Sequence, residues 1–159
     1  PATVCLAIPL YKQLHLLKKY GAAVFASIGS GVAASVVSIF LMCRLMGLSH
    51  VNYVTLLPKS ITTAIGMGVS EEAGGIVTLT VMSIILTGVI GNVLGELVFR
   101  ITGVRHPIAR GLALGTSAHA IGTAKALELG EIEGAMSSLS IAVAGLMTVI
   151  AVPIAANLI

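Results

Sequence analysis

The chain has 159 residues, of which 57% are hydrophobic and 9% are charged; nine basic and six acidic residues give a net charge of +3. Soluble domains carry about 25% charged residues, so this composition excludes a soluble globular protein and predicts an integral membrane protein. The basic residues lie in connecting segments and report orientation in a membrane, so nucleic acid is not an expected partner.

The chain opens with an apolar segment, residues 1–10, that is typical of the end of a membrane helix. It starts without Met and without a signal peptide, so we interpret residues 1–159 as one transmembrane domain of a longer protein, lacking N-terminal helices. Residues 11–20 bring three lysines and two tyrosines, which predicts a cytoplasmic segment at the membrane surface. Cys5 and Cys43 have no metal-ligand spacing and are expected to be free thiols; no metal or cofactor is expected.

Three apolar segments are long enough to cross a bilayer, which takes about 20 residues in a helix. The predicted spans are residues 20–43, 76–99 and 134–159. The first span is rich in Gly, Ala and Ser, which let neighbouring helices approach closely, so we expect it inside the bundle. The alternative is that this small-residue face serves only dimerisation.

Two other apolar elements, residues 53–70 and 108–128, are too short to be ordinary spans. In the first, Pro58 disfavours helical geometry at Leu57, and Lys59 then places a charge among hydroxyl residues. The uncharged part is eleven residues long in the first element and fourteen in the second. Such lengths favour a broken helix or one that enters and leaves the membrane on the same side.

The two short elements contain a weak internal repeat. Residues 60–74 and 116–130 align without gaps at a spacing of 56 residues, and each copy precedes a long apolar segment. The identical pairs are Ala64/Ala120, Ile65/Ile121, Gly66/Gly122, Glu72/Glu128 and Gly74/Gly130. We interpret the copies as two halves of one site.

Charge placement bears on the topology of the repeat. If both short elements are re-entrant, the basic clusters at residues 12–19 and 100–110 fall on one side of the membrane, as the positive-inside rule prefers. The two elements then approach from opposite faces, which is an inverted repeat. Arg44 falls on the outer side in this arrangement, and broken spanning helices remain the alternative. The expected fold is therefore an all-α membrane bundle with two broken or re-entrant motif helices.

Acidic residues lie next to the short elements. We expect these glutamates to be solvated turn residues, and we expect Lys125 to neutralise a carboxylate near the second turn. They are Glu71, Glu72, Glu128, Glu131 and Glu133.

Two ordered motifs, LPKSITT at residues 57–63 and GTSAHAIGT at residues 115–123, resemble the LrgB/CidB membrane family. Shorter matches at residues 7–11, 110–113 and 133–138 extend the resemblance over essentially the whole chain. The resemblance implies a multi-pass protein of the bacterial inner (plasma) membrane with further helices ahead of Pro1. Bacterial relatives are described as holin-like or antiholin-like proteins that modulate murein hydrolase export and autolysis, usually with a small LrgA/CidA-like membrane protein as partner. Plastid relatives look like translocators of glycolate and glycerate, and some bacterial relatives are linked to pyruvate uptake.

The residues of both motifs suit a small carboxylate substrate. A carboxylate inside a membrane needs a cation, hydroxyl donors or exposed helix N-termini. The candidate substrate-binding residues are Lys59, Ser60, Thr62, Thr63, Thr116, Ser117, His119 and Thr123.

Two of these candidates have alternative explanations. A lysine at membrane depth costs about 2.5–3.5 kcal/mol, so Lys59 either binds substrate, extends to the interface or pairs with a carboxylate such as Glu96. His119 either carries a coupled proton, because its reference pKa is about 6.5, or is a structural hydrogen-bonded residue.

Two functional classes remain open. One is a secondary transporter of small monocarboxylates, with proton coupling through His119; the other is a holin-like or antiholin-like protein, in which the motifs only pack an oligomer. The repeat and the membrane Lys and His favour the transporter. Enzyme motifs such as GxSxG, HExxH and Walker A are absent from the sequence, so no enzyme is expected, whereas a homo-oligomer is.

Overall fold

The computed structural model describes residue 11 and residues 14–158, apart from the side chains of residues 14 and 16–18. Within these residues all regular structure is helical, which confirms the predicted all-α class. Predictions for residues 1–10, including Cys5, and for residues 12 and 13 lie outside the described residues. The helices are α1 (Leu14–Met46), α2 (His50–Leu56), α3 (Thr63–Glu72), α4 (Val77–Thr102), α5 (Pro107–Leu129) and α6 (Glu131–Ala155), followed by a 3-10 turn at Ala156–Leu158.

Helices α1, α4 and α6 are long and apolar enough to cross a membrane. The qualifying segments are Lys19–Met46, Val77–Thr102 and Glu131–Leu158. Much of α4 faces outward with large apolar side chains, including Val93 at 69% and Ile101 at 76% exposure. Such a surface suits lipid and not water, so the chain is an integral membrane protein, as its composition predicts.

Several helices start earlier than the predicted elements. Helix α1 begins at Leu14, six residues before the predicted span, and is kinked at Tyr20. Helix α2 begins at His50, where the hydroxyl of Ser49 accepts a hydrogen bond from the backbone N–H of Asn52 (3.5 Å). Glu131 and Glu133 stand in the first turn of α6, where acidic side chains stabilise a helix. The prediction that Glu133 is a solvated turn residue is therefore wrong: it is helical and 7% exposed.

Helices α2 and α3 fold back on each other; we call residues 50–72 hairpin 1. Thr80 near the start of α4 bonds both arms: its hydroxyl donates to the carbonyl of Thr55 in α2 (2.9 Å) and lies 2.6 Å from the hydroxyl of Ser70 in α3. A Cβ added to Gly66 in α3 would lie 3.5 Å from the carbonyl oxygen of Pro58 at the turn. Thr55 near the end of α2 and Ser70 near the end of α3 therefore meet at the N-terminal end of α4.

Helix α5 also folds back on itself, at Ala118 and His119; we call residues 107–129 hairpin 2. His119 has φ 43° and ψ −135°, values outside the helical region. Leu114 before the turn and Ala126 after it belong to one apolar cluster with Phe99. In a straight helix these two residues would be about 18 Å apart along the axis, so the arms must be adjacent.

The two hairpins run along α4 from its opposite ends. At the C-terminal end, the Arg110 guanidinium in the first arm of hairpin 2 lies 5.6 Å from the centre of the Phe99 ring. Both hairpins reach Ile84, in the first third of α4: its side chain lies against Gly66 of α3, and its carbonyl oxygen lies 2.9 Å from Nε2 of His119. The placement of the hairpins in a bilayer stays a prediction.

Apolar clusters close the two ends of the bundle. Near the N-terminal end of α4, Tyr53 donates a hydrogen bond to the carbonyl of Ala155 (2.9 Å) and packs beside Cys43, a buried free thiol as predicted. Near the opposite end, Ile28 of α1 packs with Leu112 of hairpin 2 and Met136 of α6. Helices α1 and α6 thus pack against both hairpins.

Candidate functional site

A cavity of about 820 Å³ lies between α1, the turn of hairpin 1, the middle of α4 and the first arm of hairpin 2. This volume falls in the range of about 300–1,000 Å³ that is common for small-molecule sites. Of the fifteen described lining residues, seven are apolar or glycine and eight are polar. The polar lining residues are Ser27, Ser35, Ser38, Lys59, Ser60, Thr87, Thr116 and Ser117.

Half of the predicted substrate-binding residues line this cavity. Lys59 and Ser60 come from the turn of hairpin 1, and Thr116 and Ser117 come from the end of the first arm of hairpin 2. The structure thus brings residues of the two motifs, far apart in sequence, to the same space. The other four predicted residues, Thr62, Thr63, His119 and Thr123, do not line it.

Lys59 supplies the charge of the cavity. Its ammonium donates a hydrogen bond to the hydroxyl of Ser60 (3.1 Å), and no carboxylate of the described chain lies within ion-pair distance of it. Glu96, which the sequence offered as a partner, pairs instead with Arg100 (3.0 Å) and Lys125 (3.6 Å). Charge-assisted hydrogen bonds are the strong ones, so an anion in the cavity would find a cation with donors to spare.

Lys125 has the role that the sequence predicts for it. Its ammonium lies 3.1 Å from the carboxylate of Glu128, in the same arm of hairpin 2. The additional contact with Glu96 joins this arm to α4 near the C-terminal end of that helix.

Helix α1 holds the two hairpin turns together. The hydroxyl of Ser35 lies 3.2 Å from that of Ser60, and a Cβ at Gly31 would lie only 2.7 Å from the methyl carbon of Thr116. Gly31 and Ser35 are one helical turn, about 6 Å, apart on the same face of α1. A larger side chain at Gly31 would push Thr116 away, so glycine is what permits this close approach.

His119 and Thr123 are buried inside hairpin 2. Nε2 of His119 faces the carbonyl of Ile84, which can only accept, so Nε2 carries a proton. The hydroxyl of Thr123 donates to the carbonyl of His119 (2.9 Å) and lies 2.7 Å from the hydroxyl of Ser137 in α6. These bonds satisfy polar groups that the turn leaves free, and they fix the turn against α4 and α6.

Thr62 and Thr63 stand at the start of α3. Thr62 is the extended residue before the helix, and its side chain makes no capping hydrogen bond. Both residues are partly buried, and their placement leaves the first N–H groups of α3 near the turn of hairpin 1.

Sequence reasoning missed the contribution of α1 and α4 to the cavity. Ser27, Gly31, Ser35 and Ser38 recur at intervals of four, four and three residues, which places them on one helical face. This spacing was visible in the sequence, but it predicted only close packing. Thr87 of α4 had no distinguishing pattern.

Comparisons with known proteins agree with the resemblance. Residues 1–158 match the model of the LrgB-like family. The chain is 43% identical over 153 residues to the "Antiholin-like protein LrgB" of Bacillus cereus (strain B4264), and equally to that of Bacillus anthracis (strain CDC 684 / NRRL 3495). The match covers 96% of this chain and 66% of each relative, so the chain spans just under two thirds of the relatives' length. No solved structure matches significantly. The chain belongs to the LrgB-like family of membrane proteins.

Proposed function

We propose that this chain forms the core of a secondary transporter for small monocarboxylates of the pyruvate, glycolate and glycerate type. The observation that supports this most is the cavity shared by the two hairpin turns, with the ammonium of Lys59 free of any described carboxylate. Lys59 would hold the carboxylate, and Ser60 and Thr116 would donate hydrogen bonds to it. A passive packing motif has no need for an unpaired cation beside an open cavity.

The hairpin arrangement suits alternating access. Two hairpins that start from opposite ends of α4 form an inverted repeat around a central site, and movement of one against the other can expose that site to either side. In this proposal Lys19, Arg100 and Arg110 lie on the cytoplasmic side and Arg44 lies on the outer side.

Proton coupling through His119 is the finer part of the proposal. The ring is buried at the turn of hairpin 2, and Nε2 is held as a donor, so Nδ1 is the atom that would gain or lose the proton. A charge change at the turn would alter the packing between hairpin 2 and α4. Substrate binding and protonation would then favour the same arrangement.

The test of transport is uptake of radiolabelled pyruvate, glycolate and glycerate into proteoliposomes, with and without an inward proton gradient. Lys59→Met removes the charge at similar length and should abolish uptake while the protein stays folded. Lys59→Arg should retain part of the activity, because the charge survives in a different shape. Wild-type uptake by Lys59→Met, or no uptake of any of the three by the wild type, would contradict the proposal.

The names of the relatives favour a second candidate, an antiholin-like role. In that proposal the chain works with a small LrgA/CidA-like membrane protein, or as a homo-oligomer, and modulates murein hydrolase export and autolysis. The two roles separate in cells that lack the native gene. If the antiholin-like role is independent of transport, Lys59→Met restores normal autolysis without restoring carboxylate uptake; if transport is the basis of both, Lys59→Met restores neither.

A further inference from the structure

The hydroxyl groups around the cavity differ in whether their protons are already used. Ser38 donates to the carbonyl of Ser35 (2.8 Å), and Ser117 donates to the carbonyl of Ala113 (2.7 Å). A hydroxyl has one proton, so in this arrangement neither can donate to a ligand. Their place in the cavity lining therefore does not make them donors.

Ser35 and Ser60 together have one proton to spare. Lys59 donates to Ser60, and a single hydrogen bond joins the hydroxyls of Ser60 and Ser35. Two hydroxyls have two protons and this bond uses one, so the other is available to a ligand in either orientation. The hydrogen bonds that link the ammonium of Lys59 to the two hydroxyls also polarise the hydroxyl with the spare proton, which strengthens its bond to an anion.

Two threonines that line the cavity make no hydrogen bond within the described structure: Thr87 in α4 and Thr116 in hairpin 2. Four other helical threonines of the described chain bond the carbonyl four residues earlier, as Thr55 does to Val51 (2.6 Å) and Thr102 to Val98 (2.7 Å). Thr87 and Thr116 are partly buried residues of the cavity lining, and no described protein group satisfies their hydroxyls.

We infer that Thr87 of α4 binds the ligand together with Lys59 and Thr116, and that Ser35 of α1 completes the same site through Ser60. The inference rests on the proposed transport of monocarboxylates and assigns the donors for it. One cation and three neutral donors, one each from α4, hairpin 2 and the Ser35–Ser60 pair, would surround the carboxylate and the neighbouring oxygen of a 2-oxo or 2-hydroxy acid. Ser117, although part of the motif, serves the backbone of its own helix.

The test compares the KM of pyruvate uptake in proteoliposomes for single variants. Thr87→Val keeps the shape of the side chain and removes its hydroxyl, and Ser35→Ala removes the hydroxyl of Ser35. Each variant should raise KM about tenfold or more, because hydrogen bonds to charged groups are the strong ones. Thr87→Ser and Ser35→Thr retain a hydroxyl and should recover most of the affinity. Ser38→Ala and Ser117→Ala, at cavity-lining positions whose hydroxyl protons are already used, should stay within about twofold of the wild type.

The outcomes separate this inference from the proposed function. If Lys59→Met abolishes uptake but Thr87→Val and Ser35→Ala resemble the wild type, the assignment of donors is wrong and transport stands. A tenfold effect of Ser117→Ala would likewise overturn the assignment. Thermal unfolding in detergent with and without pyruvate shows whether each variant is folded and whether the ligand stabilises it. If none of pyruvate, glycolate and glycerate is taken up by the wild type or stabilises it, both proposals fail.

Discussion

Ser60 and Thr116 occupy equivalent positions in the two motif copies, 56 residues apart, and both line the same cavity. Each touches α1, Ser60 through Ser35 and Thr116 through Gly31, one helical turn away. One residue of each copy of the weak sequence repeat therefore borders the same cavity. Each of these contacts joins one residue of α1 to one residue of a hairpin, so single substitutions can test them.

The close approach of Gly31 to Thr116 predicts that one methyl group added at residue 31 impairs uptake and stability. Gly31→Ala places Cβ against the methyl carbon of Thr116. The side chain of Thr116 is short and branched, so the methyl group cannot move away unless the hydroxyl rotates with it. We expect a several-fold higher KM of uptake and a lower thermal midpoint. Gly29→Ala is the matched control, because its Cβ would meet only the end of Met147 at 3.8 Å. Equal behaviour of the two variants would show that the close approach has no role.

Gly88 of α4 leaves room for the ring of His119. A Cβ there would lie 2.8 Å from Cε1 and 2.9 Å from Nε2, so Gly88→Ala should displace the ring from the carbonyl of Ile84. Overpacking of this kind costs about 1–3 kcal/mol, measurable as a lower unfolding midpoint in detergent. Gly68→Ala in α3 meets nothing within 4 Å and should be neutral or stabilise by up to about 1 kcal/mol. Unchanged stability of Gly88→Ala would indicate that the ring does not sit against α4.

Proton coupling predicts a pH dependence that one variant removes. If His119 must be protonated together with substrate binding, uptake should rise as pH falls from about 7.5 to 5.5, through the reference pKa of histidine. His119→Gln can still donate to the carbonyl of Ile84 but cannot titrate, so it should bind pyruvate without that response. His106→Gln, at an exposed position before α5, should keep it. A full pH response of His119→Gln would make His119 a structural residue.

The opposite directions of the hairpins predict opposite labelling of their open ends. Glu71 lies at the end of hairpin 1 beside the start of α4, whereas Glu131 follows hairpin 2 near the end of α4. Single cysteines at these positions, with Cys5 and Cys43 replaced by Ala, should differ in reaction with an impermeant maleimide applied from outside. We expect labelling at position 71 and protection at position 131, since the basic residues place that end in the cytoplasm. Equal labelling of both from outside would refute the inverted arrangement.

The break in the first short element was foreseeable because it has a local cause. Pro58 cannot continue a helix, and a short uncharged segment cannot cross a bilayer alone. The position of the second break had no such cause. His119 adopts a positive φ that usually selects Gly, and Gly122 nearby is helical. The bond of the His119 ring to Ile84 helps to hold that conformation, and this bond exists only after hairpin 2 packs on α4.

The place of Ser35 and Thr87 in the cavity lining, and the burial of Glu133, also arise only when the helices pack together. A serine or threonine in an apolar helix has the same local pattern whether it faces lipid, a neighbour or a cavity. Glu133 is covered because glycines at 111 and 130 let the start of α6 approach hairpin 2 closely. The local sequence around Glu133 is typical of a polar turn. It does not show how closely two glycine-containing segments can pack.

The dependence of hairpin 1 on Ala155 has a consequence for biogenesis. The hydroxyl of Tyr53 is satisfied by a carbonyl more than a hundred residues later, and the turn of hairpin 2 needs Ser137 of α6 in the same way. Until α6 leaves the ribosome, the hydroxyl of Tyr53 would lack its acceptor and that of Thr123 would lack Ser137, and polar groups without partners are costly in lipid. We therefore expect nascent chains that end before α6 to be retained at the insertion machinery or degraded, even when α1 and α4 are already inserted.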